Sequence, residues 1–406
     1  MKKQLIYIFT WFPMFSESFV YNEIKNLKKE GCEIDTIFVL HRNHDSVNYD
    51  LSFLNIQYPA SVSRMLSYFI FFLIRHPVTI CRLIIYLGVI HRGDYFHLRR
   101  GYTSFIKGLL LLPLIIWINK QMGKSHVHFH AHFAAVAPTV AMVLAKLRHT
   151  TFSFTGHGTD ILEYGPRTLG DRINASSFFI TVSEYNKQFI INNFKGVRIE
   201  KIHVIPAVVD TNTFRLIRKA PDFSVPRDVQ IITVARLSPE KGHEVFLRAL
   251  ARFSPEHSDF HYSIVGDGPL KEYLGSLVQS LGIAPNVTFL GFRNHEFILK
   301  ALSESHLFVL TSSIEGLPVG LMEAAAAGLP ILATRITAIP EIIKNGVNGI
   351  LVEPGDPESI YRALITLSAD NWKKLMEMSY TSLQYDISHF DMNYTVLKIK
   401  NLFYGV

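Results

Sequence analysis

Short apolar runs separated by stretches of helical periodicity recur from one end of the 406-residue chain to the other. A run without polar alternation needs cover on both faces, so this repeat specifies parallel sheets layered between helices. Residues 5–9 read as a strand, 19–30 as a polar helix stopped by Gly31, and 34–40 as a second strand, which together make a βαβ opening. Further strands are expected at 127–129, 151–154, 178–182 and 203–205. The pattern breaks over 208–226, where prolines and charges gather, and restarts at 230–234, with later strands at 261–265, 287–290, 307–310 and 331–333. The expected fold class is α/β, with two doubly wound Rossmann-like domains facing a cleft and ligand sites beyond the carboxyl ends of the strands. The expected bounds are 1–210 and 211–385, with a helix at 386–406 packing back on the first domain.

Hydrophobic residues make up 48% of the chain and charged residues 18%, which excludes a largely disordered protein. Cys32 and Cys81 are far apart and lack metal-ligand spacing, so neither a disulfide framework nor a zinc site is indicated and a reducing cytosol is expected. The first dozen residues read as a strand behind two lysines, without the apolar core or cleavage site of an export signal. The net charge of +7 is uneven. Residues 1–210 hold 23 Lys+Arg against 14 Asp+Glu, or +9, whereas the remainder holds 18 against 20, or −2.

Much of that excess lies in an apolar insertion at 62–119. Its apolar runs are about ten residues long and are broken by Arg75, His76, Pro77 and Pro113, too short for the roughly 20 residues of a bilayer span. Arg64, Arg75, Arg82, Arg92, Arg99, Arg100 and Lys107 face one acid, Asp94. Apolar and cationic character together suit a helix lying on an anionic membrane surface. The same composition also suits a helical core layer with a solvated rim. No nucleic-acid motif or basic-aromatic platform accompanies the charge, so a nucleic-acid partner is not expected.

The densest chemistry lies in residues 311–354. A strand ends near Leu310, a loop carries Glu315 and Gly316, and a helix starting at about Pro318 carries Glu323. Both carboxylates can reach a crevice, one to accept ribose hydroxyls and the other those of a sugar, beside a helix N-terminus able to bind an anion. Taken alone, two glutamates eight positions apart are commonplace. Arg236 and Lys241 leave the strand at 230–234 and can supply fixed positive charge to a departing diphosphate, although an isolated loop Arg and Lys are more often solvated.

Context separates these readings. The two glutamates, the Ala-rich helix ending in Gly328-Leu329-Pro330, then Ile339-Pro340-Glu341 and Gly346-x-x-Gly349, resemble the signature of family 4 of the retaining glycosyltransferases. The resemblance extends through Val234-Ala235-Arg236-Leu237, Glu240-Lys241-Gly242, Val265-Gly266-Asp267-Gly268-Pro269 and Val287-x-Phe289-Leu290-Gly291, covering nearly the whole second half in order. It implies the GT-B architecture, with Arg236 and Lys241 as diphosphate clamp and Glu315 and His157 as further catalytic groups. Glu323, Gly316, Leu317, Pro318, Val319, Gly266, Asp267, Gly291 and Phe292 would bind the donor. The segment Phe154-Thr155-Gly156-His157-Gly158-Thr159-Asp160 is similar to one in which a histidine reaches the donor sugar.

Two departures stand out. Many family members have a Gly-rich loop after the first strand, whereas this chain has Phe12-Pro13-Met14-Phe15-Ser16-Glu17-Ser18-Phe19, which resembles the branch that assembles colanic acid and other exopolysaccharides. Val208 stands where the family usually has a glycine before Asp210. Ser16, Glu17, His132 and Asp160 are candidate acceptor or cleft residues. His126, His128, His130 and His132 alternate with apolar residues and would share a strand face, but acid or cysteine ligands are missing nearby. With no Asp-x-Asp pair, no metal or other cofactor is expected, only a nucleotide diphosphate sugar as co-substrate. The expectation is a retaining glycosyltransferase at the inner face of the cell membrane, using a lipid-linked saccharide as acceptor. A sugar-nucleotide epimerase or phosphorylase on the same fold, or a membrane-bound scaffold without catalysis, are the competing readings.

Overall fold

The computed structural model describes residues 4–14, 18–41, 49–90, 111–122, 127–163, 165, 168–217, 224, 226, 228–257, 259–368, 371–384 and 388–405. It divides into two compact units, one comprising Met1–Ile205 with Val396–Val406, the other Pro206–Thr395.

The first unit is built on seven strands: β1 (Gln4–Phe9), β2 (Ile34–Val39), β3 (Asn55–Gln57), β4 (Val127–His132), β5 (Thr151–Gly156), β6 (Phe179–Thr181) and β7 (Ile202–Val204). They lie in the order β3-β2-β1-β4-β5-β6-β7, and all the pairs are parallel. Strand β3 is short and half polar, which is why apolar periodicity does not reveal it. On one sheet face Phe129, Ala131, Phe152 and Phe154 enter a core roofed by the helix Ala137–Arg148, whose first nine residues are all buried. The opposite face of β4 carries His128, His130 and His132, each fully buried. That face is covered from the C-terminal end of the chain. The Phe403 ring lies 5.1 Å from His130, 5.7 Å from His128 and 5.6 Å from Phe178, edge-on to each.

The insertion resolves into elements of different character. Leu112–Gln121 buries Leu112, Leu114, Ile115, Ile116, Trp117 and Ile118 in the first unit's core, so this helix is a core layer. Val62–Arg75 has no buried residue. It rests on the core through partly buried Met65, Tyr68 and Phe69 while exposing Val62, Leu66, Ile70 and Ile74, a stripe at four-residue spacing. Pro77 starts the next helix, Pro77–Ile90, and the two helices are bent by 108° where they meet. Among the described residues no single helix is long and apolar enough to cross a membrane, and this pair passes that test only together. Arg92, Arg99, Arg100, Lys107 and Asp94 lie outside the described residues.

The second unit has six strands: β8 (Val229–Val234), β9 (Phe260–Val265), β10 (Val287–Gly291), β11 (Leu307–Leu310), β12 (Ile331–Thr334) and β13 (Gly349–Val352). Their order is β10-β9-β8-β11-β12-β13, again with parallel pairs throughout. The His243–Phe253 helix seals one face with Phe246, Leu247, Ala249, Leu250 and Phe253, the three-and-four spacing of an amphipathic helix. In both sheets the chain reverses its direction of travel beside the first strand, between β1 and β4 and between β8 and β11. Loops leaving such neighbours diverge and open a crevice at the carboxyl ends of the strands.

Phe403 is 2% exposed and packs on the histidine face. Phe403→Ala is expected to lower the free energy of unfolding by about 3–5 kcal/mol, as for other buried aromatic truncations, and a urea titration of both proteins checks it.

Candidate active site

The second unit's site assembles around β8 and β11. After β8, the chain passes through Ala235 and Arg236 to a short 3-10 turn, Pro239–Lys241, and then to Gly242 at φ +66°. Gly242 is required there: a Cβ would stand 1.9 Å from the Thr311 carbonyl oxygen of the loop that follows β11. That approach is held by Thr311 Oγ1 donating to the Gly242 carbonyl at 3.0 Å and the Ser313 N–H donating to the Glu240 carbonyl at 2.8 Å.

With the two loops fixed, Lys241 Nζ donates to Glu315 Oε1 at 2.7 Å, and Ser312 Oγ donates to the same oxygen at 2.7 Å. Glu315 is buried, and Lys241 retains limited exposure. Arg236 is about half exposed, and its guanidinium donates to Glu240 Oε1 at 2.7 Å. Burial pushes the Glu240 carboxyl up, but hydrogen bonds from Ser238 and Arg236 outweigh it and hold the group down at about 2. Both candidate clamp cations therefore lie in the one loop, each already opposed by a carboxylate. His243 donates from Nε2 to the Arg236 carbonyl at 2.9 Å, and burial holds it below the usual imidazole range, so it is neutral.

The neighbouring strand exits join the same surface. The Leu237 N–H donates to the Asp267 carbonyl and the Gly266 N–H to the Gly291 carbonyl, stitching the loops after β8, β9 and β10 together. At Gly266, φ is +149° and a Cβ would meet the Ala235 carbonyl oxygen at 1.9 Å, so only glycine lets these two loops touch. The Asp267 side chain turns outward to Lys271 at 2.9 Å, which together with the Gly268 N–H lowers its carboxyl. Phe292, just beyond β10, is 48% exposed.

Gly316, Leu317 and Pro318 lead from Glu315 into the helix Val319–Ala326. Its first N–H groups have no intrahelical acceptor and carry the positive end of the helix dipole. Glu323 lies one turn inside, and among the described residues none donates a hydrogen bond to its carboxyl. Burial pushes that group up to about 8.

In the first unit, His132 ends β4 and His157 follows β5 directly, so neighbouring parallel strands deliver both rings to one edge. His132 Nδ1 lies 3.0 Å from His157 Nε2. Asp160 organises the loop: its carboxylate accepts from the backbone N–H groups of Ala134, His157 and Gly158. Its two oxygens are spent on that backbone. Burial, with the His132 ring alongside, lowers His157 well below the usual range, which keeps its imidazole neutral. Ser16, Glu17 and His126 lie outside the described residues.

The histidine face of β4 is a hydrogen-bonded ladder. Thr151 and Ser153 flank His128, and Ser153 and Thr155 flank His130, at 2.7 to 3.1 Å. Glu23, His130 and His132 bring nitrogen and oxygen atoms within 4.8 Å of one another. Every histidine nitrogen of that group already has a hydrogen-bond partner, so a cation would have to displace them. Sequence reasoning missed Glu23, Glu240, Ser312 and His243. Glu240 lies within a quoted motif and Ser312 and His243 adjoin motif residues, but the roles of all three depend on which loop faces which.

A family model described as Glycosyl transferases group 1 matches residues 218–384. The chain is 28% identical over 378 residues to the amylovoran biosynthesis glycosyltransferase AmsK of Erwinia amylovora, covering 88% of each chain. It is 31% identical over 179 residues to the putative colanic acid biosynthesis glycosyltransferase WcaL of Escherichia coli, covering 43% of each. Among solved structures, HepE of Anabaena in complex with UDP superposes with a TM-score of 0.73 at 17% identity, over 99% of this chain and 100% of that one. TarM superposes at 0.70 with 13% identity over 99% of each. Both likenesses establish the two-domain GT-B fold.

Glu323 gives this site a pH signature. A carboxyl raised to about 8 in the folded state keeps a proton that the unfolded chain loses near its ordinary value of about 4.3, so stability falls as pH rises between the two and levels off above about 8. Glu323→Gln cannot ionise. Its stability advantage over wild type should be small near pH 4, grow to a few kcal/mol by pH 8 and then hold constant, as read from urea midpoints across that range.

Proposed function

We propose, for a chain whose second half is a group 1 glycosyltransferase domain on a GT-B fold, that it moves a sugar from a nucleotide diphosphate to a lipid-linked saccharide during exopolysaccharide synthesis. The observation that carries this reading is the meeting of Lys241 with Glu315 at the β8–β11 switch point, with Arg236 in the same loop. A diphosphate arriving there can replace the carboxylates as partner of the two cations, in charge-assisted hydrogen bonds. Negative charge grows on it as the glycosidic bond breaks, so a fixed Arg and Lys lower the barrier without reorganising. Glu323 accepts ribose hydroxyls and Glu315 those of the sugar, while the N–H groups at Val319 face the phosphates. Departure of the diphosphate from the face that the acceptor attacks retains configuration. The two fixed cations supply the charge neutralisation, so no divalent metal is assigned. HepE crystallises with UDP and with UDP-glucose, which supports a uridine diphosphate sugar as the first donor to try.

The acceptor side rests on AmsK and WcaL, named for amylovoran and colanic acid biosynthesis, and on the exposed insertion. In Val62–Arg75 and Pro77–Ile90, the apolar Ile70, Phe71, Ile74, Val78 and Ile85 are more than half exposed, and Arg64, Arg75 and Arg82 are exposed among them. Apolar side chains in the acyl boundary with arginines at the headgroups suit peripheral binding to an anionic leaflet at the inner face of the membrane.

Two outcomes are expected. Arg236→Ala and Lys241→Ala should each lower turnover on the order of 100-fold with unchanged circular dichroism, in assays containing EDTA. Near wild-type rates in both variants would remove the diphosphate from this loop. The protein should also co-sediment with vesicles containing phosphatidylserine. A triple Arg64→Glu, Arg75→Glu, Arg82→Glu variant should bind them at least about tenfold more weakly, at about 1 kcal/mol per charge, while still hydrolysing donor in solution. Equal binding to neutral vesicles would sink the electrostatic part.

A further inference from the structure

One buried carboxylate has no part in the chemistry above. Glu23, on the helix Ser18–Lys29, is 5% exposed and projects toward the histidine end of β4. Its Oε1 accepts from the Tyr7 hydroxyl at 3.0 Å, and the same oxygen lies 3.2 Å from His132 Nε2. Burial, with Glu23 alongside, raises the Tyr7 phenol well above its usual range, so the hydroxyl keeps its proton and donates.

These contacts set a direction. A carboxylate only accepts, so the His132 proton sits on Nε2, where it faces Oε1. In a neutral imidazole the other nitrogen is then a bare acceptor. With His132 neutral, its Nδ1 accepts from His157 Nε2 across their 3.0 Å contact. This places the single His157 proton on Nε2 and leaves Nδ1 with a lone pair. His157 Nδ1 is shielded from bulk water and has no hydrogen-bond partner among the described residues. The ring cannot turn freely: it stacks on His132 at 5.2 Å and 12°, with Phe19 and Phe133 packed 4.9 and 4.7 Å from it. Reversing every proton would aim the His132 Nε2 lone pair at Glu23, lone pair against lone pair.

We propose that Glu23 is a positioning residue for sugar transfer: acting through His132, it holds His157 in the Nε2–H tautomer, so that Nδ1 accepts a hydrogen bond from a carbohydrate hydroxyl. The idea rests on the glycosyltransferase reading for the identity of that hydroxyl and on this unit's geometry for the tautomer. An unpaired buried acceptor costs free energy until a donor such as a hydroxyl reaches it. A histidine with the opposite tautomer would present N–H there and repel the same hydroxyl proton.

Long-range proton–nitrogen NMR of the full chain decides the tautomer without any ligand. Wild type should show His157 protonated on Nε2 and bare on Nδ1, and the Nδ1 signal should move on adding UDP-glucose. Glu23→Leu, which removes the acceptor, should release the tautomer and lower turnover on the order of tenfold or more. Glu23→Gln, whose amide oxygen can take the same two hydrogen bonds, should recover most of the turnover and the wild-type spectrum. A purely structural role predicts the reverse pattern, with lower melting temperatures and unchanged turnover per folded molecule, and would overturn the proposal. So would Nδ1–H in the wild-type spectrum, a result available even if Glu23→Leu fails to fold. Calorimetry with UDP-glucose and other nucleotide diphosphate sugars separates the two layers. No binding by any of them would remove the carbohydrate as partner of Nδ1 and the transferase reading with it, while the spectrum still decides the relay.

Discussion

Lys241 and Glu315 are 74 positions apart and touch at 2.7 Å, and the second unit's site depends on that contact. It exists because β8 and β11 are neighbours in the sheet, so the loops leaving them emerge side by side. The close approach of Gly242 to the Thr311 carbonyl then fixes their separation. A bulkier residue at Gly242 would push the loops apart and leave two buried or half-buried charges without partners, the costly outcome for such a pair. The arrangement also explains how a cationic loop is tolerated before a ligand arrives. Glu240 and Glu315 neutralise it, and on the function proposed above binding would be an exchange of partners.

The first unit solves a different problem, that of placing polar rings inside a sheet. His128 and His130 are accommodated because Thr151, Ser153 and Thr155 on the adjacent strand supply hydroxyls in register, and His132 is held between Glu23 and His157. Parallel pairing with β5 makes that register a property of the fold. The network is closed at one end by Glu23 and Tyr7 and left open at the other, at His157 Nδ1.

The insertion shows how one composition can serve two purposes. Its last helix is apolar on nearly every side and sits in the core, while Val62–Arg75 keeps its apolar stripe outside. Both helices lack acids and end in basic residues, so local sequence could not separate them. The difference comes from which helix the sheet has room to cover.

The alternation of apolar strand and helical periodicity was sufficient by itself to determine an α/β chain of two doubly wound parts, since a doubly buried strand has no other way to satisfy both faces. The positions of Arg236, Lys241 and Glu315 at strand exits, and of Glu323 in the helix that follows, were legible for the same reason, because strand ends can be read from where apolar runs stop. The two-residue spacing of His128, His130 and His132 showed that they share a face. What stayed hidden was every pairing. That Lys241 meets Glu315, that Glu23 reaches His132 across 109 positions, and that Phe403 roofs the histidines all follow from sheet order and from where the last helix returns. Those are decided by long-range packing, in which hydrophobic burial is non-directional and only the assembled register assigns each polar group its partner.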